Sequence, residues 1–176
     1  RFGNKKTLTF NYSGSDNYVA PFLYVEDNCV IKDLHVAGTI AGGDTVDVYV
    51  VHLPSKRGGA EGQKLSMNIC QQLQAHSDSV RTKRQHPNLL IMRDFNAETN
   101  SQQLKLLTRS HHLIDRTAKL QPGTYKYQGE WSILDHILTH TTTLSHQQTR
   151  ILNLSFLTEP DPTHGNVKPY RTYQGP

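Results

Sequence analysis

At residues 88–96 the chain reads Asn88-Leu89-Leu90-Ile91-Met92-Arg93-Asp94-Phe95-Asn96, an apolar run closed by an acid and an amide. The apolar run predicts a buried strand over Asn88–Met92. Because side chains alternate along an extended chain, Asp94 and Asn96 should point to one side and Phe95 to the other, into a core. A carboxylate and a carboxamide at a strand end suit a cation and a phosphate oxygen. The alternative is that they only cap the helix that follows.

The segments around this strand alternate between strand and helix patterns. Thr45–His52 is rich in Val and Tyr and predicts a strand. Gln63–Gln85 predicts a helix that ends before Pro87, because Leu65, Ile69, Leu73 and Val80 recur near helical spacing. This order indicates an α/β layered fold. The remaining predicted elements are strands at Phe22–Val25, Ile31–Ile40, Gly123–Gly129 and Ser132–His140, a helix at Ser101–His112, a loop at Pro54–Gly59, and an irregular tail from Glu159 to Pro176.

Length and charge set limits on the class of protein. The 176 residues suffice for one domain with its own core, and no run approaches the roughly 20 apolar residues of a membrane span. The net charge of +4 and the pI near 9.1 fit an anionic substrate without requiring one. The densest basic cluster, Arg81-Thr82-Lys83-Arg84, is interpreted as a solvated helix end, where cations suit the helix dipole.

The two cysteines and the N-terminus say little about the compartment. Cys29 and Cys70 lack the spacing of a disulfide framework or a zinc site, so both are predicted to be free buried thiols. The first residues are basic, but no apolar signal sequence follows them. Any export signal would lie upstream of Arg1, so the localisation stays open.

A second stretch with chemical potential runs from His52 to Gly59, reading His-Leu-Pro-Ser-Lys-Arg-Gly-Gly. A histidine at a strand end can donate to a phosphate oxygen, and the guanidinium of Arg57 can bind phosphate through two hydrogen bonds. Ser55 lies in the same loop. The alternative is a loop turn with solvated charges.

Two later stretches add further candidates. Asp135 falls within a predicted apolar strand, where a carboxylate needs a partner such as a histidine or a cation. The nearby Tyr125, Tyr127 and Trp131 are interpreted as core and groove wall rather than as a platform for stacking bases. Arg171 lies in Lys168-Pro169-Tyr170-Arg171-Thr172-Tyr173-Gln174-Gly175, which is either an ordered loop facing an anion or a surface tail.

Taken in order, these stretches resemble the endonuclease/exonuclease/phosphatase family, whose fold is that of DNase I. Ile91–Asn96 is similar to its Gly-Asp-Phe-Asn signature, and Leu134–Ile137 resembles its late Leu-Asp strand. A bacterial branch with Pro-Ser-Arg-Arg-Gly-Gly, Gly-Thr-Tyr-Lys-Tyr-Gln-Gly-Glu-Trp and Arg-Thr-Tyr-Gln-Gly is the most similar. The resemblance covers roughly residues 30–176.

This resemblance implies a fold and a function. The fold is an α/β (α+β) four-layer sandwich of two central, mainly antiparallel sheets flanked by helices, here within one domain over residues 1–176. The function is hydrolysis of phosphate esters by a nuclease or phosphatase that uses Mg²⁺ or Mn²⁺. The implied roles are water activation for Asp94, a phosphate contact for Asn96, charge stabilisation for His52, orientation of a second histidine for Asp135, metal binding for Asp94 and Asn96, and substrate phosphate binding for Ser55, Arg57 and Arg171.

The sequence also departs from the family pattern. The family's early Asn, its metal-binding Glu and its terminal Ser-Asp-His are not found. Residues 1–176 are therefore expected to hold a metal weakly or not at all, and to be inactive alone. Arg93 stands where the family usually has Gly. It either impairs the site or points away from it. The alternative function is a non-catalytic member that keeps the fold as a binding module. The substrate stays open among DNA, RNA, phospholipid head groups and nucleotides, and the sequence does not indicate an oligomeric state.

Overall fold

The computed structural model describes residues 34–39, 45–109 and 112–170, with the backbone alone for residues 34–39 and residue 57. These residues belong to one compact unit, Lys32–Pro176. Along the chain they form β1 (Leu34–Thr39), β2 (Thr45–His52), α1 (Gly59–Lys83), β3 (Leu89–Asp94), α2 (Gln102–Thr108), β4 (Ile114–Asp115), β5 (Tyr125–Tyr127), β6 (Glu130–Ser132), β7 (Asp135–His140), β8 (Thr158–Pro160) and β9 (Val167–Pro169).

Five of these strands form the main sheet, in the order β1-β2-β3-β7-β4. The strands β2 and β3 run parallel and are joined through α1, whereas the other neighbouring pairs are antiparallel. Two short two-stranded ribbons, β5-β6 and β8-β9, complete the described part. The predicted α/β layering is therefore observed, with a mixed sheet that is mainly antiparallel.

Both helices pack against one face of the main sheet. Alternate residues of β2 and β3 are buried there, and the helices contribute Cys70, Leu104 and Leu107 to the same core. The exposed fraction of Phe95 is 0%, which confirms the prediction that its ring points into a core. The core residues are Tyr49, Val51, Leu53, Cys70, Leu89, Ile91, Phe95, Ala97, Leu104, Leu107, Leu113 and Leu138. The predicted helical face of α1 is only partly right, because Leu65 is exposed.

Several predicted boundaries are wrong. The helix α1 begins at Gly59, so the loop predicted over Pro54–Gly59 is shorter and contains a 3-10 turn at Lys56–Gly58. The strand β3 extends to Asp94, since its polar end still pairs with both neighbouring strands. The helix α2 starts after Ser101, whose hydroxyl caps it by accepting from the Leu104 N–H. The strand predicted at Phe22–Val25 lies outside the described residues.

The predicted strands at Gly123–Gly129 and Ser132–His140 rearrange into a ribbon and a sheet strand. Gln128 and Gly129 both have positive φ, 49° and 87°, the geometry of a tight two-residue turn. This turn folds β5 back onto β6. A side chain at Gly123 would place a Cβ 2.7 Å from the Ser132 carbonyl oxygen, so the close approach of the two strands requires a glycine there.

The basic cluster at the end of α1 is not merely solvated. Arg84 forms two hydrogen bonds of 2.9 Å to the carboxylate of Asp47, whose exposed fraction is 0%. Arg81 forms a more exposed pair with Asp78 on the same helix. The helix end is therefore tied to strand β2 by a bidentate ion pair.

Two further features concern the cysteines and the length of the helices. Cys70 is a free, fully buried thiol as predicted, and burial raises its pKa to about 12. Cys29 lies outside the described residues. No helix in the described part of the chain has the combined length and apolarity needed to cross a lipid bilayer.

The tail predicted to be irregular contains the β8-β9 hairpin, held by a buried lysine. Lys126 of β5 forms a 3.0 Å ion pair with Asp161 and donates to the carbonyl oxygens of Gly165 and Val167. The side chains of Lys126 and Asp161 are only 3% and 8% exposed. The sequence did not predict this hairpin, because its two strands are only three residues long and show no clear strand pattern.

The Asp161 carboxylate should give the hairpin a dependence on acid. The hydrogen bond from Lys126, aided by the His164 N–H, lowers the pKa of Asp161 to about 2. Its unfolded pKa is about 3.9, so its stabilising effect is complete above about pH 4 and is lost as the pH falls towards 2. We expect the amide signals of residues 161–167 to report loosening of the hairpin in this range. The Asp161→Asn variant should lack that transition, and an unchanged transition in it would contradict the assignment.

Candidate functional site

Three of the predicted site residues lie in one row at the end of the main sheet. In the strand register His52 of β2 is the partner of Asp94 in β3, and Asp94 is the partner of Asp135 in β7. Directly opposed residues on adjacent strands present their side chains to the same face. The row therefore brings together side chains that are up to 83 positions apart in sequence.

The carboxylate of Asp94 lies at the centre of the polar contacts. The His52 Nε2 atom is 3.4 Å from Asp94 Oδ2, and the two side chains are 50% and 31% exposed. The backbone N–H of Asn96 donates to Asp94 Oδ1 over 2.8 Å. Both acid and histidine are thus open to solvent while one carboxylate oxygen is fixed by the backbone.

The orientation of Asn96 favours its oxygen as the outward-facing group. Its side-chain N–H groups donate to the Leu53 carbonyl oxygen at 2.8 Å and, weakly, to Asp94 Oδ2 at 3.5 Å. Among the described residues Asn96 Oδ1 accepts no hydrogen bond. The amide is therefore arranged to offer an acceptor oxygen, which suits a cation or a ligand hydroxyl better than a bare phosphate oxygen.

Asp135 does not occupy the buried position expected for it. It is the first residue of β7 and is exposed, because the predicted long strand breaks at Ile133 and Leu134. The hydroxyl of Thr124 accepts from the backbone N–H groups of Leu134 and Asp135, both at 3.1 Å. The ribbon β5-β6 thereby fixes the start of β7, and the Asp135 carboxylate faces solvent beside Asp94.

Of the three predicted phosphate-binding residues, the described part of the chain includes the side chain of Ser55 alone. Ser55 is exposed in the loop after β2 and borders a surface pocket with a volume of about 260 Å³ that also touches Asn96. The neighbouring Lys56 forms a 3.0 Å ion pair with Glu98, which links this loop to the loop after β3. The side chain of Arg57 and all of Arg171 lie outside the described part, so their roles stay predictions.

Arg93 has a backbone conformation that explains why a glycine is expected at its position. Its φ is +102°, a value that side-chain-bearing residues rarely adopt. The side chain is exposed and forms no hydrogen bond or ion pair with any of the described residues. The structure therefore places a strained residue directly before Asp94, and its partners in the strand register, Val51 and His136, lie on the core face of the sheet.

We expect Arg93→Gly to stabilise the protein by about 1 kcal/mol, because relief of strain worth about 1–3 kcal/mol outweighs the lost backbone entropy. The midpoint of urea denaturation measures this effect. Arg93→Ala is the matched control, since it removes the guanidinium and retains the Cβ atom. Equal stabilisation by both variants would show that backbone strain is not the cause.

A buried polar cluster behind the row was missed by the sequence reasoning. His136 is fully buried, and its Nδ1 atom lies 2.9 Å from Asp115 Oδ2 while its Nε2 atom lies 2.9 Å from the Ala97 carbonyl oxygen. Burial alone would raise the pKa of Asp115, but the hydrogen bonds from His136 and Thr117 outweigh it, so the pKa lies below its ordinary value. The period of two along β7 was the available signal, because it places His136 on the core face with Leu138.

The aromatic residues form an outer wall rather than core. Tyr125 and Tyr127 stack with ring centroids 6.5 Å apart, and Tyr127 is 59% exposed. Trp131 is half-buried and lies under the Lys126 ammonium group, 5.9 Å from its ring centroid. Tyr127 therefore does not belong to the core, and its place in a groove wall stays a prediction.

The donors in the row suit a small, hard cation in a partly solvated site. No group of three or more His, Cys, Asp or Glu side chains able to hold a metal occurs within the described ranges. Mg²⁺, however, commonly keeps several waters and takes only one or two carboxylates from the protein. The carboxylates of Asp94 and Asp135 with the amide oxygen of Asn96 match that requirement in chemical type.

Comparison with solved structures shows the fold. Sphingomyelinase C from Streptomyces griseocarneus has a TM-score of 0.53 at 14% identity, covering 77% of this chain and 52% of that one. A β-hairpin deletion mutant of beta toxin from Staphylococcus aureus has a TM-score of 0.50 at 17% identity, covering 76% and 52%. The chain thus spans about half the length of these proteins.

Comparison by sequence gives the family. No curated protein matches the chain, whereas the Endonuclease/Exonuclease/phosphatase family matches residues 6–176. The predicted α/β fold of the DNase I type is confirmed by this match together with the structural neighbours. The order of strands, the strand-end row and the match over nearly the whole sequence lead to one conclusion: the chain belongs to the endonuclease/exonuclease/phosphatase family.

Proposed function

We propose that the protein is a metal-dependent phosphoesterase whose reaction takes place at the strand-end row. The observation that carries this proposal is the register His52–Asp94–Asp135. It brings one histidine and two carboxylates together at the ends of three adjacent strands, where they are open to solvent. Family membership supports phosphoester hydrolysis as the general class of reaction. The finer assignment to a nuclease or a phosphatase depends on the substrate.

Each residue of the row has a task that suits its contacts. Asp94 orients or deprotonates the attacking water, since its Oδ1 is fixed by the Asn96 N–H and its Oδ2 faces the exposed side with His52. His52 donates to the phosphate oxygens as negative charge builds up. Phosphoryl transfer depends mainly on positioning and charge neutralisation, so modest side chains suffice when they are held in place.

Asp94, Asn96 and Asp135 are the residues that would hold Mg²⁺ or Mn²⁺. When bound, the cation would polarise the phosphoryl group and neutralise charge on its oxygens. Asn96 contributes its Oδ1 atom, because its N–H groups are committed to Leu53 and Asp94. This assignment keeps the metal-binding role predicted for Asn96 without its predicted phosphate contact. It gives Asp135 a metal-binding role in place of the predicted orientation of a second histidine.

Hydrolysis of phosphate monoesters and diesters with and without Mg²⁺ tests the proposal directly, with Asp94→Ala measured beside the unaltered protein. In contrast to the inactivity expected from the missing family motifs, we expect turnover that requires the divalent cation and is lost on chelation, because Asp94, Asp135 and Asn96 offer three oxygen ligands. Turnover that persists at the same rate in the Asp94→Ala variant would overturn the mechanism. Assays with a nucleotide, an oligonucleotide and a phospholipid head group as substrates, each with identification of the products, distinguish the candidate substrates.

A second candidate function is binding of phosphate-bearing ligands without catalysis. The observation that favours it is Arg93, an exposed residue with a φ of +102° directly before Asp94 in the chain. An exposed guanidinium can bind a phosphate group through two hydrogen bonds. Phosphate-ester binding that weakens in Arg93→Ala, combined with no turnover in any metal, would favour this function.

A further inference from the structure

The loop that carries Asn96 is held at two points, one on each side of that residue. On the N-terminal side the Phe95 N–H donates to the Leu134 carbonyl oxygen over 2.9 Å. On the C-terminal side the Ala97 carbonyl oxygen lies 2.9 Å from His136 Nε2. Asn96 lies between these two hydrogen bonds and has a φ of +47°.

The same two hydrogen bonds flank Asp135. Their partners Leu134 and His136 are its immediate neighbours in sequence. Two adjacent hydrogen bonds therefore couple the segment Phe95–Ala97 to the segment Leu134–His136 with Asn96 and Asp135 at their centres. One of these bonds is made by backbone atoms alone, whereas the other depends on the imidazole of His136.

The imidazole is held firmly from all sides. A carbonyl oxygen only accepts, so Nε2 donates to Ala97. The opposite nitrogen, Nδ1, lies 2.9 Å from Asp115 Oδ2, and the Thr117 hydroxyl and backbone N–H both donate to Asp115 Oδ1, over 2.6 Å and 2.9 Å. The ring also contacts Phe95 edge to face, with centroids 5.5 Å apart.

Burying the imidazole of His136 in a core costs desolvation free energy, whereas burying an apolar side chain there would not. A leucine of similar size would pack against Phe95 without burying ring nitrogens, but it would leave the Asp115 carboxylate, which is 8% exposed, without the histidine. The specific gain from histidine is the hydrogen bond to the Ala97 carbonyl, which reaches across the core to the loop after β3.

We propose that His136 is a positioning residue that sets Asn96 against Asp135 across the strand ends. Asp115 and Thr117 fix the ring, the ring fixes the Ala97 carbonyl, and the carbonyl fixes the turn in which the Asn96 N–H binds Asp94. The kinetic part of this proposal rests on the proposed function, whereas its structural part does not.

Amide hydrogen exchange tests the structural part. In His136→Leu we expect the exchange of the Asn96 N–H to accelerate about 10-fold or more relative to the Ile91 and Val51 amides of the sheet. His136→Gln, whose side-chain amide can donate to the same carbonyl, should restore part of the protection. If His136→Leu does not fold, Thr117→Val, which removes one hydrogen bond to Asp115, should give a smaller acceleration at Asn96.

The matched control is Leu138→Ala, a cavity variant on the same face of β7 that removes no hydrogen bond to Ala97. It should accelerate exchange across the core without singling out Asn96. Equal relative acceleration at Asn96 in the control and in the histidine variants would overturn the proposal.

Kinetics test the functional part. Misplacement of supporting groups commonly costs 10–100-fold in activity, so we expect kcat of His136→Leu to fall about 10- to 100-fold with KM changed less than about twofold. A rise in KM at constant kcat would contradict the positioning role. If the unaltered protein hydrolyses no phosphate ester, the proposed function fails while the exchange experiment still decides the role of His136.

Discussion

Loss of the Asp94 carboxylate is expected to reduce the rate of phosphate-ester hydrolysis by about 10²–10⁴-fold in Asp94→Ala, the range typical for a positioned acid–base group. The reason is geometric, because the Asn96 N–H holds one oxygen of this carboxylate while the other faces solvent near His52. Initial rates at saturating substrate and Mg²⁺ measure the effect on kcat.

Asp78→Ala is the matched control for that experiment. Asp78 is a solvent-facing carboxylate on α1 that pairs with Arg81 over 3.0 Å, and α1 carries it away from the strand ends. We expect its removal to leave kcat within about twofold, because an exposed pair contributes only about 0–1 kcal/mol to stability. A comparable loss of activity in both variants would mean that the assay reports general damage rather than chemistry.

Removal of Arg84 is expected to destabilise the fold by about 3–5 kcal/mol, the usual cost of breaking a buried ion pair from one side. Arg84→Ala takes the bidentate guanidinium from Asp47, a carboxylate with no exposed surface. Asp47→Ala should cost less, since the Arg84 side chain is 39% exposed and can be hydrated. Urea denaturation followed by circular dichroism measures both variants.

Arg81→Ala provides the comparison for this prediction, because Arg81 lies in the last turn of α1 beside Arg84 and pairs with the more exposed carboxylate of Asp78. It should shift stability by less than about 1 kcal/mol. If Arg81→Ala and Arg84→Ala were equally destabilising, the cost would come from helix propensity or net charge and not from the buried carboxylate.

The strands were predicted well where the pattern of side chains alone determines them. The bounds of β2 are those predicted, Thr45–His52, because Val and Tyr dominate this segment and favour a strand on both of its faces. The bounds of β3 were not, because backbone hydrogen bonds to β2 and β7 extend it past its apolar run to Asp94. Backbone pairing does not depend on side-chain type, so the sequence carries no direct sign of it.

The sequence predicted the residues of the candidate site, but it did not predict the buried hydrogen bonds that hold them in place. His52 and Asp94 stand at strand ends where the sequence placed them. Asp135 was expected in the core, but the core position next to it belongs to His136, whose partners Asp115 and Ala97 are 21 and 39 positions away in sequence. Contacts over such separations follow from the folding of the sheet, and a local pattern cannot show them.

The division of labour between strands and loops has a consequence for how such a protein can change. The row His52–Asp94–Asp135 rests on ladder pairing within the main sheet, whereas its surroundings come from the loop after β2, the loop after β3 and the ribbon β5-β6. Loops tolerate insertion and replacement better than the elements they connect. Replacing the loop between β2 and α1 should therefore change which phosphate esters bind, while the strand pairing that positions His52, Asp94 and Asp135 is retained.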